Sequence, residues 1–320
     1  MPKSIAPCPS ERIIMNPYDA TNLVFAGGGV RGLAYAGAIE ALEEAGILEN
    51  ITHVAGTSVG SIAATLLSLH YHPEEFKDML KQINLKNFED GWDPLRILSS
   101  YGLYKGDVAL NWIKQFISKK GHHPDATFED LHTAGCKELH IYVTDLTDET
   151  VKNLNVHTTP RVIVAEAVRA SISIPLFFSC WKFTKNQPDC HLYVDGGAIE
   201  NYPLTSFDYN GEPNPQTLGM YFEHQHKTNT DLSYNEPLKY IRNLFETALH
   251  SQINSLQQFP HHRIRSIPIN DLGIAATNFG LNEEQKQALI DSGRRAVKHF
   301  LASYDIAVDV EEESYPPLTQ

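Results

Sequence analysis

The sequence predicts an α/β fold with a mostly parallel central sheet flanked by helices on both faces. Two observations carry this. A short apolar run, Leu23–Ala26, passes straight into the glycine-rich stretch Gly27–Gly32 and then into a helical pattern. The same order then repeats: Thr52–Ala55, the turn Gly56–Gly60, and a helix over Ser61–Leu69. Strand–turn–helix units in series give parallel strands joined by crossover helices.

The elements follow in order. Tyr35, Ala38, Ile39, Leu42 and Ala45 recur at three- and four-residue spacing, which predicts the first helix, and Gly46 suits its C-terminus. His72-Pro73 closes the second helix. The stretch 76–125 reads as a helical insertion crowded with Trp92, Leu95, Ile97, Leu98, Tyr101, Leu103 and Tyr104. Two readings fit it: core packing of an inserted layer, or a lid or apolar rim around a lipid-sized pocket. Leu139–Asp145 predicts a third strand and Thr150–His157 a further strand or hairpin. A helix over Val164–Ser171 follows Pro160-Arg161, and Pro175–Phe178 reads as a rigid apolar turn. Leu192–Val194 predicts a strand that delivers Asp195, and Leu218–Phe222 predicts another. Asn210–Pro215 is a loop by composition. Helices are expected around Leu238–Gln257 and Glu283–Tyr304.

The 320 residues are 42% hydrophobic and 20% charged, enough for one large domain with a sizeable core. We place that domain at 19–308, with an N-terminal extension at 1–18 and an acidic, proline-bearing tail at 309–320 expected to be disordered. The formal net charge of −13 argues against nucleic acid as a partner and against broad attraction to anionic membranes. Cys8, Cys136, Cys180 and Cys190 lack metal or redox spacing, so free thiols in a reducing compartment are expected. No stretch approaches a membrane span, and residues 1–18 carry no secretory h-region. A cytoplasmic protein is the expectation; export by a signal-free route would leave no trace.

Gly56-Thr57-Ser58-Val59-Gly60 fits the G-x-S-x-G nucleophile elbow, in which small neighbours let a serine sit on a sharp strand-to-helix turn. A helix N-terminus beneath Ser58 would stabilise negative charge developing there. The glycines at 27, 28 and 29 also join a strand to a helix, and consecutive glycines let backbone N–H groups converge as an oxyanion hole, with Arg31 adding positive charge. The serine needs a base. His122, His123, His261 and His262 sit in polar, loop-like surroundings, and His224 and His226 only follow a strand. Asp195 is better placed, at a strand end before the turn residues Gly196 and Gly197.

Together these motifs, in this order, resemble the patatin-like phospholipase family. Ala165–Ser171, Ile174–Phe178 and Asn201-Tyr202-Pro203 support the resemblance, which is clear over Leu23–Pro203 and fainter through Asn278–Leu281 and the final helix. One departure is Val59, where the family often has alanine. The resemblance implies a three-layer patatin-like architecture and a serine–aspartate dyad that works without histidine. Ser58 would be the nucleophile, Asp195 the general base, and the amides of Gly27, Gly28 and Gly29 with Arg31 the oxyanion hole. It further implies hydrolysis of fatty-acyl esters of glycerolipids (phospholipase A or lysophospholipase type), no calcium or other cofactor, and transient contact with a membrane or micelle. Some relatives need a protein activator; none is assigned here. Three alternatives stand beside it: a Ser–His–Asp esterase, a lipid-binding member without catalysis, and a dinucleotide binder. Gly27, Gly29 and Gly32 match the last by letter, but no acid ends the next strand.

Overall fold

The structure, a computed structural model, describes residues 15–82, 85–184, 190–224 and 237–314. In chain order these fold as β1 (Asn22–Phe25), α1 (Ala34–Glu44), β2 (His53–Thr57), α2 (Val59–Ser68) and α3 (Pro73–Gln82). Then come α4 (Arg96–Ser100), β3 (Gly102–Tyr104), α5 (Asp107–Lys119), α6 (Phe128–Thr133), β4 (Glu138–Asp145) and β5 (Thr150–Leu154). The second half holds α7 (Val164–Ser171), β6 (Leu176–Phe178), β7 (Tyr193–Asp195), β8 (Thr217–Glu223), α8 (Pro237–Leu256), α9 (Pro260–Arg263), β9 (Ser266–Asn270) and α10 (Glu283–Ser314).

Among the described residues the main sheet has seven strands in the order β5-β4-β2-β1-β8-β9, with β7 also pairing to β4. The central pairs are parallel, as the repeated strand–turn–helix units predict; β5 and β7 run antiparallel to β4. All four residues of β1 are buried, which suits a strand covered on both faces. Its alternate side chains feed two cores. Leu23 and Phe25 join a large cluster with α1, α2, α5, α7 and α10, whereas Val24 and Ala26 join a smaller one with Tyr202, Leu204 and Ile253 of α8. Helices therefore cover both faces, giving a three-layer α/β architecture.

Several expectations are corrected. Pro175–Phe178 is not a plain turn: Leu176–Phe178 forms β6, which pairs in parallel with β3 as a separate two-stranded sheet. The insertion is thus not all helical. Its apolar residues do not form one core layer either, because Trp92, Leu95, Leu98 and Tyr101 are 64%, 72%, 82% and 54% exposed while Leu103 is buried. β9 has no counterpart in the sequence reading, since Ser266–Asn270 alternates apolar and polar residues only briefly around Pro268. His262 is buried on α9 rather than lying in a loop. Residues 15–18 belong to the body of the fold: Met15 and Pro17 are buried, and the Tyr18 hydroxyl donates to Asp305 at 3.1 Å. The last helix runs to Ser314, past the expected boundary at 309. Cys8, His226 and the tail residues 315–320 lie outside the described residues. Among the described residues no helix is long and apolar enough to cross a membrane.

Candidate active site

β4 exchanges one sheet neighbour for another halfway along its length. Its first half pairs with β2, ending at Thr57↔Tyr142; the next residue, Val143, pairs with Asp195 of β7. Ser58 leaves the end of β2 just where β7 arrives, so two residues far apart in sequence meet. The Ser58 hydroxyl donates to Asp195 Oδ2 at 2.6 Å.

Local geometry holds each partner. Ser58 sits at φ 53°, ψ −127°, a strained conformation for a residue with a Cβ. The elbow closes because Gly60 is bare: a Cβ there would run into the carbonyl of Phe25 at the end of β1. Gly56 lies against the same helical turn. The backbone N–H of Ser58 donates to Ser171 Oγ at 2.9 Å, and that hydroxyl donates to the Tyr142 carbonyl at 2.7 Å. On the other side Gly196 and Gly197 turn the chain, and the Gly197 N–H donates to Asp195 Oδ1 at 2.7 Å. Burial drives the Asp195 carboxyl up to about 7, against the opposing pull of its hydrogen bonds from Ser58 and Gly197.

The three glycine amides of the loop differ in their hydrogen bonding. The Gly27 N–H donates to the Asn201 carbonyl at 2.9 Å and is spent there. Among the described residues no hydrogen bond takes the N–H of Gly28 or Gly29, and both residues line the cavity that holds Ser58 and Asp195. Gly29 has φ +56°, and a Cβ on it would collide with the carbonyl of Ala276. Gly27, one of the three expected donors, thus has its N–H engaged elsewhere.

Arg31 also departs from expectation. It is buried and is not among the residues lining the cavity. Its Nε donates to the Ile274 carbonyl at 2.6 Å, and its Nη2 lies 3.1 Å from Glu246 Oε2 and 3.6 Å from Asp271 Oδ2. The guanidinium ties the glycine loop to the segment after β9 and to α8. The Val30 N–H, donating to Ala276 O at 2.9 Å, completes that tie.

The cavity, about 350 Å³, runs from the serine to an apolar wall of Leu103, Tyr104, Leu176 and Phe177 and out to Trp92. Phe245, Glu246 and Leu249 of α8 also line it. Gln252, one turn on, clips two loops together: its Nε2 donates to Gly197 O at 2.9 Å and its Oε1 accepts the Asn201 N–H at 2.8 Å. Sequence reading missed Ser171, Glu246 and Gln252 as supports of the site. The only sequence trace is that Ser171 closes the Ala165–Ser171 block.

Among the described residues no histidine lines the cavity. His224 Nδ1 lies 2.8 Å from Asp271 Oδ2, and His250 Nε2 lies 3.7 Å from Glu246. Asp145, Asp148 and His191 cluster closely enough to suggest a metal site, but Lys152 already places its ammonium 2.7 Å from Asp148 Oδ2.

Known proteins resemble this chain in sequence and in fold. The chain is 33% identical to the uncharacterized protein YqhO of Bacillus subtilis, over 88% of this chain and 98% of that one. It is 30% identical to triacylglycerol lipase 4 of Saccharomyces cerevisiae over 58% of this chain and 22% of the yeast protein. Among solved structures VipD from Legionella pneumophila superposes with a TM-score of 0.57 at 19% identity, covering 89% of this chain and 67% of VipD, a likeness of fold. The model of the patatin-like phospholipase family matches residues 23–208, which span β1, the elbow serine and the aspartate turn, and the chain belongs to that family.

Proposed function

We propose that the protein is a lipid acyl hydrolase in which Ser58 and Asp195 act as a dyad. The 2.6 Å contact between them, beside two backbone N–H groups that have no hydrogen-bond partner among the described residues and an apolar cavity, is the observation that carries this reading. Asp195 draws the proton from Ser58 as its oxygen attacks the ester carbonyl. The oxyanion that forms is met by the N–H groups of Gly28 and Gly29 and by the N-terminus of α2. Asp195 then protonates the departing alcohol and leaves an acyl-serine. Deacylation runs the same path with water as nucleophile. A carboxylate with an ordinary pKa near ~4 would be a weak base here. One raised to about 7 is half ionised at neutral pH and far better matched to a hydroxyl. The yeast relative's name points to acylglycerol esters, and the apolar wall suits an acyl chain.

Trp92 both lines the cavity and stands exposed beside Leu95, Leu98 and Tyr101, so the cavity mouth opens onto an apolar knuckle. We read that knuckle as the contact with a lipid surface. The test of the hydrolase reading is labelling by a fluorophosphonate probe, together with hydrolysis of p-nitrophenyl butyrate. Wild type should label at Ser58 and turn over, Ser58→Ala should do neither, and an unlabelled wild type would sink the reading.

A further inference from the structure

We infer that the site is built for acyl esters with an uncharged headgroup, neutral acylglycerols, and discriminates against anionic phospholipids; this rests on the dyad reading above. Among the described residues the charged side chains lining the cavity are Glu89, Asp195 and Glu246, all carboxylic, with no lysine, arginine or histidine. Sites that hold a phosphate normally supply a guanidinium or an ammonium for it. The cation that the sequence offers beside the serine is Arg31, and it is already taken by Glu246, Asp271 and the Ile274 carbonyl. The guanidinium faces two carboxylates, so the cluster behind the glycine loop does not supply a spare positive charge. The Gly28 and Gly29 N–H groups could bind an anion, but the oxyanion of the reaction needs them.

A phosphate one or two bonds from the scissile ester would therefore meet no cation among the described lining residues and would lie near the carboxyls of Glu89 and Asp195 in a cavity where charge is poorly screened. The remaining polar groups on the wall are neutral. Asn201 Oδ1 and Thr277 Oγ1 are buried and have no hydrogen-bond partner among the described residues, and both residues line the cavity. An amide oxygen and a hydroxyl complement the free hydroxyls of a glyceride.

The test compares kcat/KM for 1-oleoylglycerol, 1-oleoyl-lysophosphatidylcholine and 1-oleoyl-lysophosphatidic acid, each at the same fraction in non-ionic detergent micelles. The glyceride should exceed the anionic lipid by about tenfold or more, with the zwitterionic lipid between. Glu89→Gln and Glu89→Lys should raise the anionic-to-neutral ratio stepwise, whereas Glu129→Gln, at an exposed position of α6 that does not line the cavity, should not move it. An anionic lipid hydrolysed as fast as the glyceride would overturn the inference. So would a zwitterionic lipid faster than both, or a ratio that moves as much with Glu129 as with Glu89. In each of those cases Ser58 still labels and p-nitrophenyl butyrate is still cleaved, so the dyad reading survives; failure of both controls would sink the dyad reading and this inference together.

Discussion

The Ser171 hydroxyl accepts the backbone N–H of Ser58 at 2.9 Å while donating to the Tyr142 carbonyl at 2.7 Å. One side chain at the end of α7 thus ties the elbow to the strand that pairs with both β2 and β7. The contact also uses up the N–H of Ser58 itself, so in the proposed mechanism the oxyanion depends on the amides of Gly28 and Gly29, both of which line the cavity.

Ser171→Ala should leave that N–H buried without a partner, at a cost of about 1–3 kcal/mol. Because Ser58 already sits in a strained conformation, the elbow should relax and the 2.6 Å contact to Asp195 should lengthen. We expect a lower melting temperature, and a fall in kcat at temperatures where the variant is still fully folded. Thermal melts paired with kcat on p-nitrophenyl butyrate check this. Full kcat in a destabilised variant would limit Ser171 to a structural role.

The pH dependence should follow Asp195. In the proposed mechanism its working form is the ionised base, and burial raises its pKa to about 7, so kcat/KM should be low in acid and climb through about pH 7. Glu200, also pushed up to about 7 by burial, is the control, because it does not line the cavity. Glu200→Gln should keep the midpoint near 7. A profile that lost its midpoint in Glu200→Gln would assign the titration to the wrong carboxyl.

The same burial predicts a stability effect of opposite sense. Asp195 binds its proton more tightly folded than unfolded, so its contribution is greatest below its unfolded pKa near 3.8 and is lost as pH rises through about 7. Asp195→Asn removes the charge and keeps an acceptor for the Gly197 N–H. It should be inactive yet more stable than wild type at pH 8, by at most ~4 kcal/mol for a shift of this size. Denaturant melts at pH 5 and pH 8 measure the difference. Equal stability of the two proteins at pH 8 would mean that the carboxylate pays no desolvation penalty there.

Gly29→Ala tests the oxyanion loop. The φ of +56° and the Ala276 carbonyl both oppose a methyl at this position, so the loop must move. Loss of one well-aimed donor typically costs about 10²–10³ in rate. We expect kcat to fall by that order with Ser58 still present and KM changed less, measured on p-nitrophenyl butyrate. A fall in KM-dependent terms alone would place the loop in substrate binding.

How far these features could be read from the chain depends on their range. The elbow, the glycine run and Asp195 were legible because each answers a local backbone demand, a sharp turn after a strand, which leaves small residues in a short window. The meeting of Ser58 with Asp195 was legible only through the order of motifs, since its physical cause is the handover of β4 from Thr57 to Asp195. Arg31 was misassigned for a related reason. Its position next to the glycines is local, but the direction of its guanidinium is set by Glu246 and Asp271, more than 200 residues away in sequence. Ser171, Glu246 and Gln252 likewise owe their roles to long-range pairings. In the 92–104 stretch composition identified apolar residues without saying which face they take: Leu103, in the strand β3 that pairs with β6, goes inward, whereas Leu95 and Leu98, at the start of and on α4, stay outward.

That sorting gives the last prediction. Leu95 and Leu98 are exposed and follow closely in sequence on the cavity-lining Trp92, whereas Leu103 is buried in the cavity wall. Changing Leu95 and Leu98 together to serine removes exposed apolar surface and should cost little stability, within ~0.5 kcal/mol per site. Turnover of a soluble short-chain ester should be unaffected, while binding to neutral phosphatidylcholine vesicles, read by co-sedimentation, should weaken severalfold. Leu103→Ser should do the reverse: it buries an unpaired hydroxyl and empties part of the wall, so it should destabilise the fold by about 2–4 kcal/mol and depress long-chain more than short-chain turnover. If the Leu95/Leu98 double variant bound vesicles as wild type does, the apolar knuckle would not be the lipid-facing surface, and delivery of substrate to Ser58 would have to use another side of the cavity mouth.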